Sequence, residues 1–262
     1  MMTIVKPILP LYEHPFNERV RLLLRLEIIF AQAARHASMA DQYETQQSLD
    51  SLFALLNISN RYELKSELLR ELERIKTLLT QLKKNADVNN QAIGQTIEQL
   101  QNCADGLHRM DSKNIDYIRN IEFLNTIKNR NVHDTGTFLF ELPELQYWLL
   151  QPQEHRQQQI ATWFDDFMPI EQTVYFILNL IRQSAVPQHL TAHRGVHIKT
   201  IDGRSNNYQL LSIDIGSDND VYPRVSGDKF RFAIRFMEKN QASATPVQTQ
   251  CDIGFRLGMC GI

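Results

Sequence analysis

As far as Pro187 the apolar residues of this chain recur every three or four positions, and beyond it they alternate one for one. That change of period limits the first part to helices and the second to strands. The clearest helical stretch is "RYELKSELLRELERIKTLLTQLKK". There Leu64, Leu68, Leu69, Leu72, Ile75, Leu78 and Leu79 form one stripe among opposite charges spaced i, i+4, so the helix must pack on another helix. Upstream, Asn17 is placed to cap a helix carrying Leu22, Leu23, Leu26, Ile29, Phe30 and Ala33, with an exit at Ser38 to Asp41, and a second helix covers about 43–57. Downstream, "NADVNNQAIG" introduces a polar helix to about residue 107, and "KNIDYIRNIEFLNTIKNR" reads as one more. Thr137 to Glu141 reads as a short strand, Pro143 as a helix start and Trp148 as lying near that helix's end. Helices return in "RQQQIATWF" and "IEQTVYFILNLIRQSA".

After Pro187 the signals are those of strands. Asp202-Gly203 marks a hairpin, Leu211, Ile213 and Ile215 alternate with Ser212 and Asp214, "GSDND" is a turn, and "VYPRVSG" and "CDIGFRLGMC" are further strands. The expected fold class is α+β: a helical bundle domain over 16–185 followed by a small antiparallel β-domain over 186–262, which strands from 1–10 and 136–141 join. The formal net charge of the 262 residues is only -2, so electrostatic recognition has to come from a local patch rather than a global field. Cys103, Cys251 and Cys260 are odd in number and widely spaced, as in a reducing compartment. No signal peptide and no run of about 20 apolar residues is present, so the expected location is cytoplasmic, without direct membrane binding.

Signs of catalysis are few. The chain has no phosphate-binding Gly-Lys-Ser/Thr loop, no His-Glu-x-x-His, no Gly-x-Ser-x-Gly and no Cys-x-x-Cys, which argues against an enzyme and names no metal or cofactor. His189, His193 and His197 would stack on a helix as metal ligands, but Pro187 and "GVHIKT" place them in loop and strand. Asp218 and Asp220 in "SDND" lack the glycine and terminal glutamate of a calcium loop and read as a turn. Asp165 and Asp166 read as helix-flanking residues rather than an acid–base pair, and Cys103 near His108 as a buried thiol rather than a nucleophile.

The strongest chemical signal is "SGDKFRFAIRF". As a strand from Lys229, it puts Phe230, Phe232, Ile234 and Phe236 on one face and Lys229, Arg231 and Arg235 on the other. Burying four such side chains, at about 1.5 to 3 kcal/mol each, outweighs any repulsion among the cations and fixes which face looks outward. Two readings of that outer face stay open: a solvated surface with cross-strand partners such as Asp214, or a site for an anion or peptide tail. Arg224 and Arg256 would enlarge it. Arg21 and Arg25 form a second cationic pair on the first helix, and residues 131–185 are rich in acids, an asymmetry able to orient a partner subunit.

Four blocks, "LYEHPFNERVRLLLRLE", "FELPELQYWLL" with its following "ATW", "LIRQSA" and "VYPRVSGDKFRFAIRF", together resemble the ZapD family of Z-ring-associated cell division proteins, in the family order and over essentially the whole chain. The resemblance implies a cytoplasmic, non-enzymatic homodimer at the mid-cell division ring that binds the C-terminal tail of FtsZ. It further implies bundling of FtsZ protofilaments and an indirect lowering of FtsZ GTPase activity. By position it assigns tail binding to Arg25, Lys229, Arg231 and Arg235 at a junction with the first helix, with Arg21 and Arg224 adjoining. The chain departs from the family pattern at Glu122, where a basic residue is expected, and at Gln146, where a histidine is expected, so neither carries an assignment. A single-stranded nucleic-acid binder using the Arg/Phe strand is the alternative. It meets the objection that parity sets the phenylalanines opposite the cations. A hydrolase is a third reading, which a copurifying nucleotide or metal would reveal.

Overall fold

The computed structural model describes residues 11–37, 41–61, 63–84, 89–131, 139–201, 207–216, 220–239 and 245–262. It bears out the α+β class. In chain order the described elements are β1 (Leu11–Pro15), α1 (Glu18–Ala37), α2 (Gln42–Arg61), α3 (Leu64–Leu82), α4 (Asn90–Arg109), α5 (Ser112–Arg119), α6 (Glu122–Asn131), a 3-10 turn (Leu139–Glu141), α7 (Pro143–Leu149), α8 (Gln153–Asp165) and α9 (Met168–Gln183). The strands β2 (Gln188–Ala192), β3 (Val196–Thr200), β4 (Leu210–Asp214), β5 (Val221–Gly227), β6 (Arg231–Glu238), β7 (Val247–Gln248) and β8 (Ile253–Cys260) follow. The chain divides into two compact units, a β-rich one from Met1–Leu23 with Ile177–Ile262 and a helical one over Leu24–Phe176.

In the helical unit, α3 packs along α4 and α2 along α8. The α3 stripe is buried through Leu64, Leu68, Leu72 and Ile75. Glu71 is 1 % exposed on the same helix and its charge is met one turn on, where Arg74 donates to it from two nitrogens at 2.7 and 2.9 Å. Asn89 caps α4 by accepting from the amides of Gln91 and Ala92. Where one helix was expected after residue 112 there are two. The chain turns at Asn120, whose amide is shared between the carbonyls of Asp116 and Tyr117, and α6 begins at Glu122. Pro143 opens α7 as expected, and the buried Arg156 of α8 donates Nη1 to the carbonyls of Leu149 and Gln151, satisfying the end of α7. Trp148, Trp163 and Phe123 cluster with ring centroids 5.5–6.3 Å apart.

The expected 136–141 strand is corrected where it is described: Leu139–Glu141 form a 3-10 turn leading into α7, and residues 136–138 lie outside the described residues. The expected strand within 1–10 also lies outside them. The N-terminal strand that does join the β-rich unit is β1, paired antiparallel with β4 from Leu11↔Asp214 to Pro15↔Leu210.

The β-rich unit has two antiparallel sheets rather than one. The first runs β1-β4-β8-β2, and the second runs β3-β6-β5 with β7 pairing the end of β6. Asp202-Gly203 lies outside the described residues, and the strands either side of it are not hairpin partners, because β3 belongs to the second sheet and β4 to the first. The tight turn is one connection earlier. Arg194 (φ 49°) and Gly195 (φ 69°) swing the chain from β2 into β3, and so from one sheet to the other. The inner faces share one core of Leu211, Ile213, Phe255 and Leu257 from the first sheet and Phe232, Ile234 and Phe236 from the second. The rings of Phe236 and Phe255 stand 5.1 Å apart. Against the outer face of the first sheet, Arg182 at the end of α9 grips Glu13 of β1 through two 2.8 Å hydrogen bonds.

Candidate functional site: the arginine face of the second sheet

β6 is the central strand of the second sheet, and its parity decides the site. Phe232, Ile234 and Phe236 are buried, while Arg231 and Arg235 are exposed on the opposite side. Three buried side chains, on the order of 5 to 9 kcal/mol together, set this orientation. Phe232 is further held by Phe16, with ring centroids 5.6 Å apart.

The alternation starts two residues later than the sequence suggests. Residues 228–230 are the turn between β5 and β6: the Asp228 carboxylate accepts from the amides of Phe230 at 2.8 Å and Arg231 at 3.0 Å, and its own amide donates to the Arg231 carbonyl. These backbone hydrogen bonds, Arg231 first, hold the Asp228 carboxyl below its ordinary range. Phe230 is therefore not an inward residue but 49 % exposed, and Lys229 sits on the turn with its ammonium 5.1 Å from the Phe230 ring. Gly227 permits the turn. Its φ is 118°, and a Cβ there would fall 2.2 Å from the Arg231 carbonyl oxygen.

Strand register assembles the rest of the face. Arg224 of β5 is the direct cross-strand neighbour of Arg235, Ser226 that of Ala233, and on the other side Val196, Ile198 and Thr200 of β3 stand beside Arg235, Ala233 and Arg231. Arg235 donates Nη1 to Ser226 Oγ at 3.1 Å. Among the described residues, none of Arg224, Arg231 and Arg235 meets a carboxylate, whereas ion pairs elsewhere in this unit include Arg182–Glu13, Arg256–Asp214, Arg21–Glu18 and His193–Asp252. Like charges directly opposite each other destabilise a sheet, so an unneutralised Arg224–Arg235 pair is a cost the local fold does not repay.

Two further expectations are corrected. Asp214 is no partner of these arginines, and Arg256 does not enlarge their face. The two are cross-strand neighbours on the first sheet, where Arg256 Nε donates to Asp214 Oδ2 at 3.0 Å. The Gly216 amide first, and then Arg256, hold the Asp214 carboxyl below its ordinary range.

Arg21, 3.1 Å from Glu18, lies close enough to His14 to help lower its pKa, although burial is the larger cause. Arg25 is exposed on α1 and belongs to the helical unit. Glu122 opens α6, and Gln146 lies in α7.

The discarded catalytic candidates fall apart in space or sit in structural roles. His189, His193 and His197 occupy β2, the β2–β3 turn and β3; His193 Nδ1 is 2.9 Å from Asp252, and His197 Nε2 is buried without a hydrogen-bond partner. Among the described residues no three His, Cys, Asp or Glu side chains are grouped as metal ligands would be. Asp166 ends α8 and accepts from Asn114 Nδ2 at 2.8 Å. Burial pushes the Cys103 thiol up, partly offset by a hydrogen bond with Thr173. Cys260 is pushed up to about 11, chiefly by burial. Residues 217–219 of "SDND" lie outside the described residues. No described helix is long and apolar enough to cross a membrane.

Ile198, 56 % exposed, is the member of the face that periodicity missed, and Phe230, 49 % exposed, is the residue of the preceding turn that it misplaced. Ser226-Gly227-Asp228 is a turn-forming run and would have placed Phe230 correctly. Ile198 had no such signal, because its neighbours on the face come from another strand.

Fold and face together define an α+β protein that presents Arg224, Arg231 and Arg235, without a carboxylate partner among the described residues, on an open β-sheet. The family model of ZapD, described as a cell division protein, matches residues 24–235, well over half of the chain and a span that includes Arg25, Arg224, Lys229, Arg231 and Arg235. The chain belongs to the ZapD family of cell division proteins.

Proposed function

We propose that this protein binds the acidic C-terminal tail of FtsZ on the arginine face of the second sheet and, as a homodimer, crosslinks FtsZ protofilaments into bundles at the mid-cell ring. No catalytic step of its own is assigned, and GTP turnover falls because filaments are held together. The observation that carries the reading is the Arg224–Arg235 cross-strand pair with Arg231 on the same face, three guanidinium groups without a carboxylate among the described residues. A planar guanidinium grips a carboxylate through two parallel hydrogen bonds, which suits it to an extended acidic segment. Each exposed ion pair contributes about 1 kcal/mol or less, so one face binds one tail only weakly. Two faces on a dimer, meeting many tails on a filament, raise the effective concentration for the second contact to about the mM range, and avidity follows without a tight site.

Cosedimentation with full-length FtsZ and with FtsZ lacking its tail tests the reading. Wild-type protein is expected to pellet only with the former, and Arg231→Glu to pellet with neither, at unchanged thermal stability. Pelleting that ignores both changes refutes it. The nucleic-acid reading draws on exposed Phe230 beside Lys229, but Phe232 and Phe236 are in the core, which among the described residues of this sheet leaves Phe230 and half-buried Tyr222 for stacking. Filter binding of single strands distinguishes the two.

A further inference from the structure

The arginine face is not uniformly polar. Between Arg231 and Arg235 on β6 stands Ala233, too small to fill the gap, and beside it across the β3 ladder is Ile198, an isoleucine more than half exposed on an open sheet. Half-buried Val196 adjoins Arg235 on the same strand, and Ser226 flanks Ala233 on the other side. The result is an apolar step, floored by Ala233 and walled by Ile198, with a guanidinium at either end.

Resting on the acidic-tail reading above, we infer that this face recognises an extended peptide in which an apolar side chain lies midway between two carboxylates four residues apart. The spacing follows from strand geometry. Arg231 and Arg235 are four residues apart, about 13 Å along β6, and a peptide lying extended beside the strand repeats its side chains on one face every second residue, about 6.7 Å. Carboxylates at its positions i and i+4 thus meet the two arginines, and the side chain at i+2 falls on Ala233 against Ile198. Arg224, directly opposite Arg235, gives the second carboxylate two cationic neighbours and so gives the face a direction. Ser226 holds Arg235 through one Nη and leaves its other nitrogens available. Charge supplies attraction and the apolar step supplies discrimination, since a polar residue at i+2 gains nothing from covering Ile198.

The test uses the full-length chain at low salt and two fluorescein-labelled peptides in Gly-Ser flanks, one carrying Asp-Ser-Leu-Ser-Asp and one carrying Asp-Ser-Ser-Ser-Asp, with fluorescence anisotropy as readout. Wild-type protein is expected to bind the leucine peptide about five- to tenfold more tightly, the return on partly burying one leucine. Ile198→Ser, an exposed substitution whose fold is checked by its melting curve, is expected to erase that ratio and leave affinity for the serine peptide unchanged. Arg231→Glu is expected to weaken both peptides alike. Equal affinities for the two peptides in wild type, with Arg231→Glu still weakening both, overturn the apolar step and leave the arginine face standing. Binding indifferent to Arg231→Glu, or no binding of either peptide up to about 1 mM, overturns the arginine face and this inference with it.

Discussion

Replacing Arg235 by glutamate should stop filament bundling and make the protein more stable, a combination that separates a functional charge from a structural one. Arg235 and Arg224 are direct cross-strand partners, and neither meets an acid among the described residues. With guanidinium groups about 6 to 7 Å apart in water the repulsion is roughly 0.6 kcal/mol, and salt at physiological strength cuts it to about 0.3 to 0.5. Glutamate at 235 turns that repulsion into an attraction of similar size, within the 0.2 to 1 kcal/mol range of cross-strand pairs. The net gain is about 1 kcal/mol, or a rise in Tm of about 2–4 °C for a chain of this size. The lost hydrogen bond to Ser226 is exposed and takes back little. Thermal melts of Arg235→Glu, Arg224→Glu and the double variant, run beside FtsZ cosedimentation, measure both quantities. Each single variant should melt at or above wild type, and the double should fall back as like charges face each other again. A single variant that melts several degrees below wild type, or a double more stable than both singles, would refute the argument that these arginines are held against a local cost.

Two further outcomes follow from the β-rich unit. Gly195→Ala should cost about 2–4 kcal/mol, since alanine resists φ 69° and its Cβ would lie 2.6 Å from the Thr249 carbonyl oxygen; an unchanged urea midpoint would contradict this. Stability should fall as pH drops from about 7 to 5, because burial first, and then Arg21 for His14 and Lys199 for His197, lower both pKa values below the ordinary 6.5. The unfolded chain then takes up protons that the folded one refuses, so the stabilisation is complete above about 6.5 and is lost below it; a Tm that rises on acidification would show the sign to be wrong.

Much of the local structure was legible in local signals. The cap at Asn17 is made, its side chain accepting from the Val20 amide at 2.8 Å, and the α3 stripe and the β6 parity from Arg231 onward lie as their periods require. What could not be read was which strands pair. Leu211, Ile213 and Ile215 alternate in the same way whether their neighbours are β3 or β1 and β8, so one sheet was expected where there are two. The same blindness hid Ile198, whose place beside Ala233 is fixed by a ladder between strands some 35 residues apart. The break at Asn120 carries neither proline nor glycine, and the helical period simply continues across it. Parity places Arg231 and Arg235 on the outer face of β6 and neighbourhood adds Arg224, as the structure has them, whereas Lys229 lies not in the strand but on the turn that Gly227 and Asp228 form.

The pairing of β1 with β4 sets an order of events during synthesis. Leu11–Pro15 leave the ribosome early, yet their partners lie about two hundred residues later, and β8 comes later still. At 5–20 residues per second the first strand waits on the order of 10 to 40 s for its partner, while the whole of Leu24–Phe176, the other compact unit, emerges in between. The arginine face is built on the companion sheet that shares its core with β4 and β8, so its apolar underside is fully covered only once Ile253–Cys260 has emerged.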